Sequence, residues 1–260
     1  AQMIKTCFLY VKLIENNENL GFSRGNNVGA RQATGKYLLF LNSDTLFIKK
    51  TNIQYLIDKM EKNKQIGICA CQLLNQDGSV QKSVRNFPYP LGIFFQYIGI
   101  SKMFKDVHFF NKYLLLNWKH NQEKNVNQPA GAFLLIRSQL FKQIGGFDER
   151  FFMYYDDVDL CKKVILENKK ILFSPKSKVI HLGGESAKQV LGNNFFERNK
   201  NLILYYKKYH SNKEVLILKF VLFFVVLARS IDWLLRSIIK KNYFYIFKES
   251  VYFLIKIWHL

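Results

Sequence analysis

The runs YLLFL (Tyr37–Leu41) and GAFLLIR (residues 131–137) are apolar at consecutive rather than alternate positions, and both are too short for a buried helix. Ile66–Leu74 is a third such run. Strands of this kind must be covered on both faces. The cover is supplied in sequence: Ile53, Leu56, Ile57 and Met60 recur at helical spacing within Thr51–Lys64, with Thr51 as a candidate N-cap. Strands alternating with helices predict an α/β domain. Further strands are expected at Phe8–Ile14, Ile171–Phe173 and Val179–His181, and further helices at Asp156–Asn168 and Asn193–Tyr209. GFSRGNNVG reads as a turn opening a short helix, and the aromatic, Lys/Asn-rich stretch Pro88–Gln128 as either loop over a cleft or part of an acceptor site.

At 260 residues the chain can bury one large core, or one domain with an appendage. Its 39 Lys+Arg against 19 Asp+Glu give a formal charge of +20, which calls for an anionic partner. Nucleic acid, anionic lipid and phosphorylated substrates all qualify. Cys7, Cys69, Cys71 and Cys161 have no metal-binding spacing and read as buried free thiols, Cys69 and Cys71 sharing one strand face.

Against that basic background, DDVDL places Asp156, Asp157 and Asp159 within four positions, directly after the apolar run FFMYY. Acids in a first helical turn favour the macrodipole. That explains one or two of them but not the apolar approach. A carboxylate at the mouth of an apolar pocket is what a general base needs, because partial desolvation lifts its pKa. NSDT (42–45) ends a buried strand, where α/β sheets bind ligands, and its carboxylate suits a hard cation; an Asx turn is the plainer reading. The glycines of residues 21–35 could cradle a phosphate with Arg24 alongside, or form an ordinary capped loop. His181 in HLGGES could ligate a metal, or lie in a surface turn.

Taken together, ENLGFSRGNNVGARQATGKYLLFLNSDT, LLNQDGSVQKSVRNFP, GAFLLIRSQLFKQIGGFDERFFMYYDDVDLCKKV and HLGGES resemble family 2 glycosyltransferases, most of all the rhamnosyltransferase-like enzymes of bacterial cell-surface polysaccharide assembly. The resemblance covers Leu13 to about Tyr209. It implies a GT-A fold, a Rossmann-like α/β domain that binds a nucleotide-sugar and a divalent metal, Mg²⁺ or Mn²⁺. It also implies inverting transfer, with dTDP-L-rhamnose as candidate donor and a lipid-linked glycan as acceptor.

Carried onto this chain, the family pattern makes Asp157 the catalytic base, flanked by Asp156 where the family has Glu. Arg24, Asn26, Asn27, Asn42, Ser43 and Asp44 would contact the donor. Gly131, Ala132 and Asp156 would face the acceptor. Asp44, the last acid of a DxD-type motif whose first position is Asn42 here, would hold the metal with His181. The FFMYY aromatics would shape the sugar pocket, while Asp156 and Asp159 tune or cap.

Family members open with strands ending in TYN-like and VDN-like motifs. Only Phe8–Ile14 precedes ENLGF here, so the first βαβ unit is expected to be missing, and a non-catalytic remnant that binds membrane or a partner is the competing reading. The organisation is thus a GT-A domain over 1–211 and an amphipathic helical extension over 212–260. In that extension the unbroken apolar stretch is Phe220–Ala228, well short of the roughly 20 residues a membrane span needs. Residues 201–260 carry ten Lys/Arg against three acids, which suits helices lying on an anionic membrane surface at the cytoplasmic face of the bacterial inner membrane. A helix packed on the domain is the alternative. No nucleic-acid-binding motif accompanies the charge, so nucleic acid is not expected as a partner.

Overall fold

The computed structural model describes residues 1–183 and 193–260. In chain order the first elements are α1 (Gln2–Cys7), α2 (Gly21–Gln32), β1 (Tyr37–Leu41), β2 (Thr45–Phe47), α3 (Ile53–Lys62), β3 (Ile66–Leu74) and β4 (Val84–Arg85). Then come α4 (Pro90–Ile98), α5 (Ile100–Met103), α6 (His108–Asn111), β5 (Lys124–Val126), β6 (Gln128–Pro129) and β7 (Phe133–Arg137). The chain continues through α7 (Ser138–Gln143), α8 (Asp156–Leu166), β8 (Lys170–His181), α9 (Asn193–Tyr209), α10 (Asn212–Ser237) and α11 (Asn242–Lys256).

The sheet runs β1–β7–β3–β8–β2, with β5 also on β8. β3 and β8 are parallel and the remaining pairings antiparallel. Side chains of central β3 alternate between two cores as a two-residue period demands. Ile68 and Ala70 join Phe40, Leu134, Phe147 and Leu160 on one face, while Cys69, Cys71 and Leu73 join Leu56, Met60 and Phe133 on the other. Cys69 and Cys71 are free and share a face as expected, and burial pushes the Cys69 thiol up to about 12; Cys7, at the end of α1, is exposed rather than buried. The two strands expected before and after residue 175 are one continuous β8, with a register shift opposite Cys71/Gln72.

Four local expectations are corrected. Phe8–Ile14 is not a strand: it runs on from α1 as an irregular segment, Leu9 and Tyr10 are 85% and 88% exposed, and Lys12 reaches Gln32 of α2 at 2.9 Å. GFSRGNNVG is not a turn but the body of α2; only Gly21, which opens it, has a positive φ. Pro88–Gln128 is not simply loop: it holds α4, α5 and α6, whose aromatic side chains pack edge to face (Phe95 against Phe109 and Phe110), while Tyr113 and Gln128 line a cleft. The N-cap of α3 is Asn52, which accepts from Tyr55 N–H, while the Thr51 hydroxyl ties β8 through Lys178 O at 2.7 Å.

α10 begins with a full capping box, Ser211 and Glu214. Its inner face (Val215, Leu218, Leu222, Val226) shares a core with Tyr155 and Val158 of the α8 region and with Tyr205 and Tyr206 of α9. Each such fully buried side chain contributes about 1.5–3 kcal/mol. The extension is therefore fastened to the domain through one face. Among the described residues no helix is long and apolar enough to cross a membrane.

Candidate active site

The segment FFMYY ends in two consecutive residues with left-handed backbone, Tyr154 (φ 68°) and Tyr155 (φ 65°). For non-glycine residues this costs about 1–3 kcal/mol each. The surroundings hold it: the buried Asn201 side chain donates to Met153 O at 2.8 Å, and Phe22 N–H donates to Phe152 O at 2.8 Å. Gly21 is required at that contact, because a Cβ there would meet Phe152 O at 2.4 Å. The tight turn starts α8 abruptly and sends its three acids in different directions.

Asp157 faces a cleft. Its Oδ2 accepts from Gly131 N–H at 2.9 Å and from the Gln128 side-chain amide at 3.1 Å, and its Oδ1 accepts from Val158 N–H at 2.8 Å. Burial raises its pKa, and the Gly131 and Val158 N–H groups and the charge of Arg85 hold the rise back. Asp156 is pushed much further up, first by burial and then by the charge of Asp157. Two adjacent carboxyls cannot both ionise cheaply. The stronger rise at Asp156 favours the proton there and the charge on Asp157. Asp159 departs from expectation: fully buried, it accepts from Lys208 Nζ at 2.6 Å and Tyr209 OH at 2.8 Å, docking α9 onto α8 away from the cleft.

At the end of β1, NSDT turns into β2, and the β2–β8 register sets Thr45 opposite His181. That register brings Asp44 Oδ1 to 3.3 Å from His181 Nε2. The Gln81 side chain fixes the imidazole: its Nε2 donates to Asn75 Oδ1 at 3.1 Å, leaving Oε1 to accept from His181 Nδ1 at 2.8 Å. Nε2 then presents a lone pair towards the Asp44 carboxylate, with Asn42 Nδ2 3.4 Å away. Two acceptors facing each other fit a cation between them. Among the described residues no group of three or more His, Cys, Asp or Glu gathers as a metal cage. The pair therefore suits Mg²⁺ or Mn²⁺, which takes one or two protein ligands and completes its shell with phosphate and water.

The cleft, about 780 Å³, unites Asn26, Asn42, Ser43, Asp44, Gly131, Ala132, Asp156, Asp157 and His181. Two expected donor contacts stand apart from it. Asn27 is buried and spends its amide on the backbone of Phe147, donating to its O at 2.9 Å and accepting from its N–H at 3.0 Å; Gly146 is needed there, since a Cβ would lie 2.7 Å from Asn27 Oδ1. Arg24 points outward and pairs with Glu18 at 3.3 Å. Of the FFMYY aromatics, Phe151 is buried in the core and Phe152 covers Gly21, so only Tyr154 and Tyr155 reach the cleft. Gly184, Glu185 and Ser186 of HLGGES lie outside the described residues. Gln81, Arg85, Tyr113, Gln128 and Arg198 line the cleft without having been singled out; Gln81 and Arg85 belong to the SVQKSVR stretch, whereas Arg198 is one of four basic residues in α9, beside Lys200, Lys207 and Lys208.

The sequence model of glycosyl transferase family 2 matches residues 2–145. The chain belongs to that family. It is 30% identical over 165 residues to the low-salt glycan biosynthesis hexosyltransferase Agl10 of Haloferax volcanii, covering 62% of this chain and 48% of the relative. It is 27% identical over 170 residues to rhamnosyltransferase WbbL of Escherichia coli, covering 62% of this chain and 60% of that one. A shorter match, 32% over 89 residues, links it to the N-acetylglucosaminyl-diphospho-decaprenol L-rhamnosyltransferase of Mycobacterium tuberculosis, covering 34% of this chain and 29% of the relative. The chain thus spans about half to three fifths of the length of the first two relatives. Among solved structures, the mannosyltransferase PcManGT of Pyrobaculum calidifontis, in complex with GDP-Man and Mn²⁺, superposes with a TM-score of 0.51 at 10% identity, covering 94% of this chain and 68% of that one. The fold of the chain is GT-A.

Proposed function

We propose that this protein is an inverting glycosyltransferase of glycan assembly. It moves a sugar from a nucleotide-sugar, with dTDP-L-rhamnose the first candidate, to a hydroxyl of a lipid-linked glycan. The observation that carries the reading is Asp157: a carboxyl raised by burial, oriented by three N–H donors, and sharing a cleft with the Asp44–His181 pair. The names of WbbL and of the mycobacterial relative support rhamnose, and the latter's name supports a polyprenyl-diphosphate acceptor.

In this mechanism the acceptor hydroxyl gives its proton to Asp157 as its oxygen attacks the anomeric carbon. The bond from that carbon to the diphosphate oxygen breaks, the nucleoside diphosphate leaves, and the configuration inverts. A divalent cation held by Asp44 and His181 would supply charge stabilisation for the leaving group. Asp156, neutral, keeps a second negative charge out of the acceptor pocket. Gln81 orients His181, and Gly131 and Gln128 orient Asp157.

The outward face of α10 supports work at a membrane. Leu216, Phe220, Phe224, Leu227, Ile231 and Leu234 recur every three or four residues and are all exposed, Phe224 to 62%. Exposed Lys240, Lys241, Lys248 and Lys256 lie at and beyond its end. A helix fastened by one face and apolar on the other suits immersion in an anionic, cytoplasmic-facing leaflet, without spanning it.

The test is release of nucleoside diphosphate from a panel of nucleotide-sugars with Mn²⁺. Release from one donor, accelerated by a polyprenyl-diphosphate sugar, is expected. No release from any donor, with the nucleoside diphosphates also failing to bind, would contradict the reading.

A further inference from the structure

The cleft contains two arginines to which the transfer chemistry gives no task. Arg85 lies on β4, directly opposite Gln128 of β6 in the ladder, and Gln128 donates to Asp157. Its positive charge acts on Asp157 and on Tyr155. Arg198 reaches the cleft from α9, one helical turn before Asn201, the residue that anchors Met153. Tyr113, Tyr154 and Tyr155 line the cleft with it. Two cations from unrelated elements therefore line the cleft that holds Asp157, together with the Met153–Tyr155 turn.

The donor diphosphate does not need them, because the Asp44–His181 pair lies at the end of β1, where a cation can hold it. Guanidinium groups bind phosphate oxygens in bidentate fashion, and a cleft that keeps two of them beside a neutral Asp156 selects for an anion. The surroundings indicate what the anion is attached to. α9 leads into α10, Tyr97 OH donates to Asn199 Oδ1 at 2.5 Å, and Arg229 of α10 donates to Tyr97 O at 2.7 Å. Arg198 thus stands where the cleft meets the helical layer that carries the exposed apolar stripe.

We propose that Arg85 and Arg198 form a subsite for the diphosphate of a polyprenyl-diphosphate-linked acceptor. The prenyl chain stays at the apolar helical face, the diphosphate rests on the arginines, and the first sugar extends to Asp157. This rests on the glycosyltransferase reading and adds the two residues that would hold the acceptor's diphosphate.

The test measures binding of farnesyl diphosphate, farnesol, inorganic pyrophosphate and, with Mn²⁺, the nucleoside diphosphate that the wild-type chain releases. The proteins are the full chain and its Arg85→Gln, Arg198→Gln and Arg198→Lys variants. Hydrogen bonds to charged groups are worth about 1.5–3 kcal/mol, so each Gln variant should lose about 10- to 100-fold in affinity for farnesyl diphosphate. Arg198→Lys should recover part of that loss. Nucleoside diphosphate affinity should stay within about twofold, which also shows that the variants are folded. Equal losses for nucleoside diphosphate would reassign the arginines to the donor and overturn the proposal. Unchanged farnesyl diphosphate affinity would overturn it too, as would pyrophosphate binding as tightly as farnesyl diphosphate, since the site would then ignore the lipid. Failure of the wild-type chain to bind any nucleoside diphosphate would instead count against the glycosyltransferase reading, whatever the arginine variants do.

Discussion

Gly131 N–H points at Oδ2 of Asp157 from 2.9 Å, and a Cβ built on Gly131 would lie 3.1 Å from the Cβ of Asp157. The strand edge that precedes β7 is therefore in contact with the carboxylate it orients. Gly131→Ala should displace Asp157 by a few tenths of an ångström and lower turnover about tenfold, with little change in melting temperature. Displacements of this order are enough, because near-attack geometry is steep in distance. Steady-state kinetics with a thermal melt checks it; turnover equal to wild type would show that the contact does not position the carboxylate.

Asp156→Asn tests the protonation assignment through stability. Its folded pKa is raised above the unfolded value of 3.8, so the folded state holds the proton more tightly than the unfolded chain does. The associated stability is complete below pH 3.8 and is lost as pH rises through the raised folded value. An amide carries no such proton. The melting temperature of Asp156→Asn relative to wild type should therefore climb as pH rises from 4 to 8. Taking the difference between the two proteins cancels the acid sensitivity of other carboxylates, such as Glu123, which is held down to about 2.

Gln81→Leu should weaken Mn²⁺ binding about 10- to 100-fold, because the imidazole loses the acceptor that selects its tautomer. Electron paramagnetic resonance titration of Mn²⁺ in the presence of nucleoside diphosphate reads this directly. Unaltered Mn²⁺ affinity would mean that His181 is not a ligand, or needs no orientation.

Much of this site was legible in the sequence, for identifiable reasons. IGICACQLL read correctly because burial on both faces leaves an unbroken apolar run, whereas YLLFL is an edge strand that buries Leu38 and Phe40 on one face and covers the other only in part. Asp156 and Asp157 stood out because acids beside an apolar approach are costly unless used. Other residues were illegible because their roles are set by distant partners. Asn27 looks like a turn residue, yet its partner Phe147 lies 120 positions away. Phe8–Ile14 has the composition of a strand, but a strand exists only where a neighbour takes its ladder bonds. Arg198 carries no local signal; only the docking of α9 brings it to the cleft.

The outward stripe of α10 can be tested without touching the core. Phe220→Ser, Phe224→Ser and Ile231→Ser, combined, should reduce flotation with phosphatidylglycerol-containing liposomes several-fold and leave the melting temperature nearly unchanged. All three side chains are exposed, whereas deleting residues 212–260 would strip Leu218 and Leu222 from the shared core. Undiminished flotation would show that the stripe does not meet the lipid.

The most direct measurement of the central claim is the turnover of Asp157→Asn with a donor that the wild-type protein uses. The amide keeps the shape of the side chain but cannot take the acceptor's proton. Positioned general bases are worth about 10² to 10⁴ in rate. The account predicts a loss in that range with donor affinity nearly unchanged, and a wild-type rate that falls as pH drops through the raised pKa of Asp157. Turnover of Asp157→Asn within a few-fold of wild type, or a wild-type rate indifferent to pH on the acid side, would contradict it.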